Sequence, residues 1–128
     1  MIRPGSVKIC SLREVEHASY VLDAGADLFG LIFVPGAKRR VTEERAGEIV
    51  SAARAGNGSA PLVVGVFVDA GHEEINTTIR TVGLNLVQLH GTEPPDLTAR
   101  LDAPAVKAIR PKPGAAFDDV AREIERFL

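Results

Sequence analysis

The chain has 128 residues, 45% of them hydrophobic and 25% charged, with a formal net charge of −2. That length suits one domain with a real core, and the acidic balance gives no electrostatic reason to expect a nucleic-acid or membrane-surface partner. A single cysteine excludes an internal disulfide and a multi-cysteine zinc cluster, and it fits the reducing cytoplasm. The start, "MIRPGSVK", reads as neither secretion signal nor anchor. No apolar run approaches the roughly 20 residues that span a bilayer.

Five short apolar runs alternate with helical patterns. The first is "VKIC" (7–10). A helix is expected next, opened by a capping box of Ser11 and Glu14, carried by Val15, Ala18 and Leu22, and stopped at Gly25. The second run, "LFGLIFV" (28–34), leads through "VPGAKRRV" (34–41) into a helix capped by Thr42, with Ala46, Ile49, Val50 and Ala53 on one face. After "AGNGSAP" (55–61) comes the third run, "LVVGVFV" (62–68). Ile75, Ile79 and Val82 then mark a helix ending at Gly83, which Asp69 could cap. The fourth run, "LNLVQLH" (84–90), precedes a helix capped by Thr92, with Pro94 in its first turn and Leu97 and Leu101 inward. The fifth, "AVKAI" (105–109), precedes a helix marked by Val120, Ile124 and Phe127.

Continuous apolar runs of this length suit strands buried on both faces, as in a parallel sheet. "AGADLFG" (24–30) and "VGLNLVQ" (82–88) echo each other as helix stop, loop and strand. Five β–α units in series predict a parallel α/β sheet with right-handed crossovers. A (β/α) barrel and a doubly wound sheet both begin this way. No G-x-G-x-x-G follows a strand, which weakens a dinucleotide-binding reading.

Ligands in such folds bind at the C-terminal ends of the strands. Those ends carry Cys10, the 34–41 loop, Asp69, His90 and Arg110. Strand alternation groups Lys8 with Cys10, and Gln88 with His90. With helices covering the outside, Lys8, Cys10, Gln88, His90 and Lys107 are expected to line the inside, which only a barrel provides. Each residue has an ordinary explanation as well. A lone strand cysteine is most often inert packing, loop cations such as Lys38, Arg39 and Arg40 are often only solvated, and His90 is more often structural. Against this, an ammonium two residues away on the same face favours the thiolate. The convergence on one end of the sheet is what points to a site.

"VKIC", "AGADLFGLIFVPGAKRRV", "VGVFVD", "VGLNLVQLHG" and "VKAI", in this order, resemble the phosphoribosylanthranilate isomerase family of tryptophan biosynthesis. The resemblance implies a (β/α)₈ barrel of TIM type, of which residues 1–128 hold about five of eight units as a single partial-barrel domain. It implies an Amadori rearrangement of N-(5-phosphoribosyl)anthranilate to 1-(2-carboxyphenylamino)-1-deoxyribulose 5-phosphate, without metal or organic cofactor. By the same resemblance Cys10 is the general base and Arg39 contacts the anthranilate end; Lys8 and His90, from their place on the inner face, are expected as further substrate-binding residues. The sequence departs from the family in having Ser11 where glycine usually follows the cysteine. The family's general acid, an aspartate on strand six, and its phosphate-binding segments have no counterpart here. The chain alone is therefore expected to be inactive and to self-associate through open sheet edges. The alternatives are a non-catalytic binding or assembly module, and another phosphosugar barrel enzyme.

Overall fold

The computed structural model describes residues 2–56 and 58–128. Five strands form one parallel sheet: β1 (Lys8–Ile9), β2 (Leu28–Ile32), β3 (Leu62–Phe67), β4 (Leu86–Leu89) and β5 (Ala105–Lys107). Each of the five apolar runs supplies one. Their spatial order is β1-β2-β3-β4-β5. Each connection steps to the next neighbour in the same direction. A doubly wound sheet must reverse its order at a switch point, so this sheet is singly wound, as a barrel wall is.

The sheet also curls. Three strand spacings separate β1 from β4, about 14 Å in a flat sheet. Nonetheless Lys8 Nζ on β1 donates to Gln88 Oε1 on β4. Side chains standing off a flat surface would not meet at that separation, so the face carrying them is concave.

The convex face is covered by α1 (Glu16–Asp23), α2 (Glu43–Arg54), α3 (His72–Thr78) with its π-helical extension Ile79–Gly83, a 3-10 helix (Pro95–Arg100) and α4 (Phe117–Glu125). Its core includes Phe29, Leu31, Val63, Val87 and Leu89 from the strands, and Ala18, Val21, Ala46, Ile49, Ala53, Ile75 and Val82 from the helices. Gly65 leaves the room that the rings of Phe33 and Phe67 and the Leu84 side chain occupy: a Cβ there would lie 2.5 Å from Leu84 Cδ1. No described helix is long and apolar enough to cross a membrane.

Thr42 caps α2 as expected, its side chain accepting from Arg45 N at 3.1 Å. Gly25 stops α1 in a left-handed conformation (φ 69°). Three expected caps do not form. The first helix starts at Glu16, with Val15 at its N-cap. Ser11 instead takes a left-handed φ of 71°, and its N–H and that of Leu12 both donate to Gly30 O. Gly71, not Asp69, precedes α3. The fourth helix is a 3-10 segment that starts after Pro94, and Thr92 lies outside it, bonded to Asp69. Adjacent prolines at 94 and 95 remove two backbone donors, and the residue before a proline is biased away from helix. The last helix ends at Glu125, short of Phe127, and none of its residues is buried.

Candidate functional site

The concave face is mixed. The central strands give it Leu28, Val64 and Val66, all buried. Its polar groups come from β1 and β4. Lys8 donates to Gln88, and Gln88 Nε2 lies 3.3 Å from His90 Nδ1. Lys8, Gln88 and His90 are thus one connected row on the expected face. His90 follows the last residue of β4, its backbone N–H bonded to Phe67 O and its carbonyl accepting from Arg110 Nη2.

Cys10 lies just past β1 and is exposed. Its neighbour across the sheet is Gly30, buried in β2. A Cβ at Gly30 would sit 2.9 Å from Cys10 Sγ and 3.2 Å from Lys8 Cε. Glycine at 30 is therefore what allows the thiol and the lysine stem to lie on the sheet. The interior glycine of "LFGLI" was the available signal, since glycine inside a strand often marks close approach.

Arg39 stands exposed on the loop after β2 and makes no side-chain hydrogen bond or ion pair among the described residues. The loop itself is anchored: Ala37 N donates to Val34 O, Arg40 N to Ala37 O and Val41 N to Ile32 O. Cys10 and Arg39 thus occupy the same end of the sheet, on its first two βα connections.

Lys107 does not join the concave row. The register pairs Gln88 with Val106 and Leu89 with Lys107. Paired residues of parallel strands point the same way, so Val106 is concave and Lys107 shares the helix-covered side with Leu89. There it donates to Glu93 Oε1 at 2.8 Å and to Gly91 O at 2.5 Å, with the Phe127 ring 5.8 Å away. The expectation for Lys107 fails by a one-residue phase error, which in a strand reverses every side chain.

Sequence reasoning missed Glu93 entirely. Its side chain is 1% exposed and that of Lys107 8%. The Glu93 carboxylate also accepts from Asp69 N and Gly91 N, both at 2.9 Å. Asp69, left-handed at φ 52°, in turn accepts from Thr92 N and Thr92 Oγ1. The turns after β3 and β4 are thereby tied to each other and to β5. Burial pushes the Glu93 carboxyl upward, but the Lys107 ammonium and the N–H groups of Asp69, Glu93 and Gly91 outweigh it. The net result lies below the ordinary value. Among the described residues no cluster of three or more His, Cys, Asp or Glu is arranged to hold a metal ion.

An exposed thiol and a free guanidinium at the C-terminal end of a curled, singly wound parallel sheet narrow the relatives to consider. The family model described as N-(5'-phosphoribosyl)anthranilate (PRA) isomerase matches residues 7–127. The chain belongs to that family. An N-(5'-phosphoribosyl)anthranilate isomerase of Symbiobacterium thermophilum is 43% identical over 104 residues, covering 81% of this chain and 45% of the relative. The crystal structure of the phosphoribosyl anthranilate isomerase from Thermus thermophilus superposes with a TM-score of 0.77 at 33% identity, over 87% of this chain and 55% of that one. A third relative, in complex with reduced 1-(o-carboxyphenylamino)-1-deoxyribulose 5-phosphate, gives a TM-score of 0.79 at 31% identity, over 93% and 58%. The sheet is accordingly a run of five strands of a TIM-type barrel. The chain spans about half the length of the curated relatives it matches.

Proposed function

We propose that this chain carries the proton-transfer and anthranilate-binding part of a phosphoribosylanthranilate isomerase. The supporting observation is the placement of Cys10: exposed past the end of β1, over Gly30, beside the Lys8–Gln88–His90 row. The reaction is an isomerisation, so atoms balance within the substrate. A general acid protonates the ribose ring oxygen, the C1–O bond breaks, and the aniline nitrogen's lone pair stabilises the opening carbon. Cys10, as thiolate, removes the C2 proton; the resulting enolamine rearranges to the ketone of 1-(2-carboxyphenylamino)-1-deoxyribulose 5-phosphate. Arg39 grips the anthranilate carboxylate, for which a planar guanidinium offers two parallel N–H donors. Lys8 and His90 supply further polar contacts to the substrate.

The general acid and the phosphate-binding groups come from outside these 128 residues, which form one partial-barrel domain of a cytoplasmic enzyme. Without them β1 and β5 remain open edges, and unpaired strand edges template association with other chains. The chain alone therefore self-associates and does not turn over substrate. Light scattering on the purified chain, with loss of substrate fluorescence as the activity readout, tests this. A stable monomer that isomerises phosphoribosylanthranilate would overturn it. The base assignment is tested in a chimera that joins the chain to the second half of the Thermus thermophilus relative. There Cys10→Ala is expected to lower turnover about 10²–10⁴-fold, and Arg39→Lys to raise KM more than Lys38→Arg does. Near-unchanged turnover by Cys10→Ala would remove the thiol from the mechanism.

A further inference from the structure

The row on the concave face has a polarity that none of the steps above uses. It is set at the Lys8 end. An ammonium has donors and no acceptor, so the Gln88 atom that meets Lys8 Nζ is the carbonyl oxygen. The amide NH₂ of Gln88 is thereby turned toward His90, with Nε2 3.3 Å from Nδ1. An NH₂ group only donates. Nδ1 is therefore the accepting, hydrogen-free nitrogen, and in the neutral ring the hydrogen sits on Nε2. Among the described residues Nε2 has no hydrogen-bond partner, and the ring is half-buried at the ligand end of β4. The backbone on both sides is held, by Phe67 O and by Arg110.

We infer that Gln88 is a positioning residue: oriented by Lys8, it holds His90 as the Nε2–H tautomer, so that the ring offers a fixed hydrogen-bond donor to an anionic or carbonyl oxygen of a ligand bound over the concave face. The opposite tautomer would present a lone pair there and repel such an oxygen. Lys8 then acts on the ligand through two intermediaries as well as by its own charge. Only the identity of the ligand rests on the isomerase reading; the tautomer follows from the row itself and is measured without substrate.

The experiment is long-range ¹H–¹⁵N correlation of the imidazole rings in the ¹⁵N-labelled 128-residue chain at about pH 8, above the ordinary histidine range. The chain has three histidines, and His90→Asn identifies the signals of interest. The wild type is expected to show Nδ1 bare and Nε2 protonated. Because that tautomer is also common in free histidine, the deciding variant is Gln88→Glu. A carboxylate only accepts, so the hydrogen must move to Nδ1, with the ring either reversed in tautomer or doubly protonated. Lys8→Met frees the Gln88 amide to flip and should give an averaged two-tautomer pattern.

His17 is the internal control. Its Nδ1 accepts from the backbone N–H groups of Arg13 and Glu14, both at 3.2 Å, and its pattern should survive each substitution. Should His17 also average in Gln88→Glu, that variant has unfolded and Lys8→Met decides. A wild-type Nδ1–H ring, or an Nε2–H pattern unmoved by either substitution in a folded chain, would overturn the proposal.

Discussion

Phe29, Leu31, Val63, Val87 and Leu89 point to one side of the sheet and are completely buried beneath the helices. Gly30 and Gln88, at alternate positions on β2 and β4, and Lys8 on β1 point to the other side, and with Cys10 and His90 they form a polar, partly open patch of it. On β4 the two tasks alternate at a spacing of one residue, Val87 and Leu89 packing beneath the helices and Gln88 facing the row. The convex side is close-packed, so a lost methylene there is felt as a cavity. The concave side is close-packed only where Leu28, Val64 and Val66 lie; around Lys8, Cys10 and His90 it is partly open, and there residues can be chosen for chemistry at less cost in stability. The contrast breaks down in one place on each side: an ion pair sits among the convex apolar groups, and a tight steric fit sits beside the exposed thiol.

The ion pair gives the largest expected effect. Lys107→Met leaves the Glu93 carboxylate buried without its counter-ion, a change that costs about 3–5 kcal/mol. Chemical denaturation should show that loss, and Glu93→Gln added to Lys107→Met should recover part of it by removing the charge. The pH dependence follows from the lowered Glu93 pKa. A carboxyl depressed in the folded state contributes stability that is fully present above its unfolded pKa and is lost as pH falls through its folded value. Wild-type stability should therefore decline on acidification below the ordinary value of 4.5, with a component that Glu93→Gln lacks. Identical acid limbs in the two proteins would mean that the pair is not the buried, coupled contact described above.

The steric fit comes next. Gly30→Ala puts a Cβ 2.9 Å from Cys10 Sγ, and overpacking of this kind costs about 1–3 kcal/mol. The tightest contact is with Cys10 Sγ, ahead of Lys8 Cε at 3.2 Å. In a Cys10→Ala background the same substitution should therefore cost clearly less, a non-additivity expected only of residues in contact. Equal costs in both backgrounds would place the strain on Lys8 or on the backbone instead.

These pairs also mark where the sequence stops being readable. All five strands are legible as short apolar-rich runs, but only β2 and β3 are buried on both faces, as a central parallel strand is; β1 and β5 have no buried residue. The concave placement of Lys8, Cys10, Gln88 and His90 followed from alternation on β1 and β4. For β5 the same reasoning inverted Lys107. "AVK" is three residues long, too short for alternation to fix its phase, and the residue that does fix it, Glu93, lies in a turn 14 residues earlier. The Thr42 cap was legible because its partner is three residues away. The supposed cap at Ser11 was not, because the backbone there is committed to a contact across the sheet with Gly30.

Ser11 carries the smallest prediction and the one closest to Cys10. A left-handed φ of 71° brings its Cβ toward the carbonyl oxygen, a conformation that costs an L-residue roughly 1–2 kcal/mol. Two backbone N–H groups gain from it, those of Ser11 and Leu12, at 3.0 and 3.1 Å from Gly30 O. The hydroxyl makes no hydrogen bond among the described residues, so glycine would keep both backbone bonds and relieve the strain. Against that stands the greater freedom of glycine in the unfolded chain, about 0.5–1 kcal/mol. Ser11→Gly should accordingly stabilise by up to about 1.5 kcal/mol, read as a higher denaturation midpoint with an unchanged slope. The rate at which a disulfide reagent modifies Cys10 should stay the same, since the turn is retained. A lower midpoint would show that the serine hydroxyl holds the turn by itself, and that the conformation beside Cys10 is maintained by a side chain rather than by the Gly30 carbonyl.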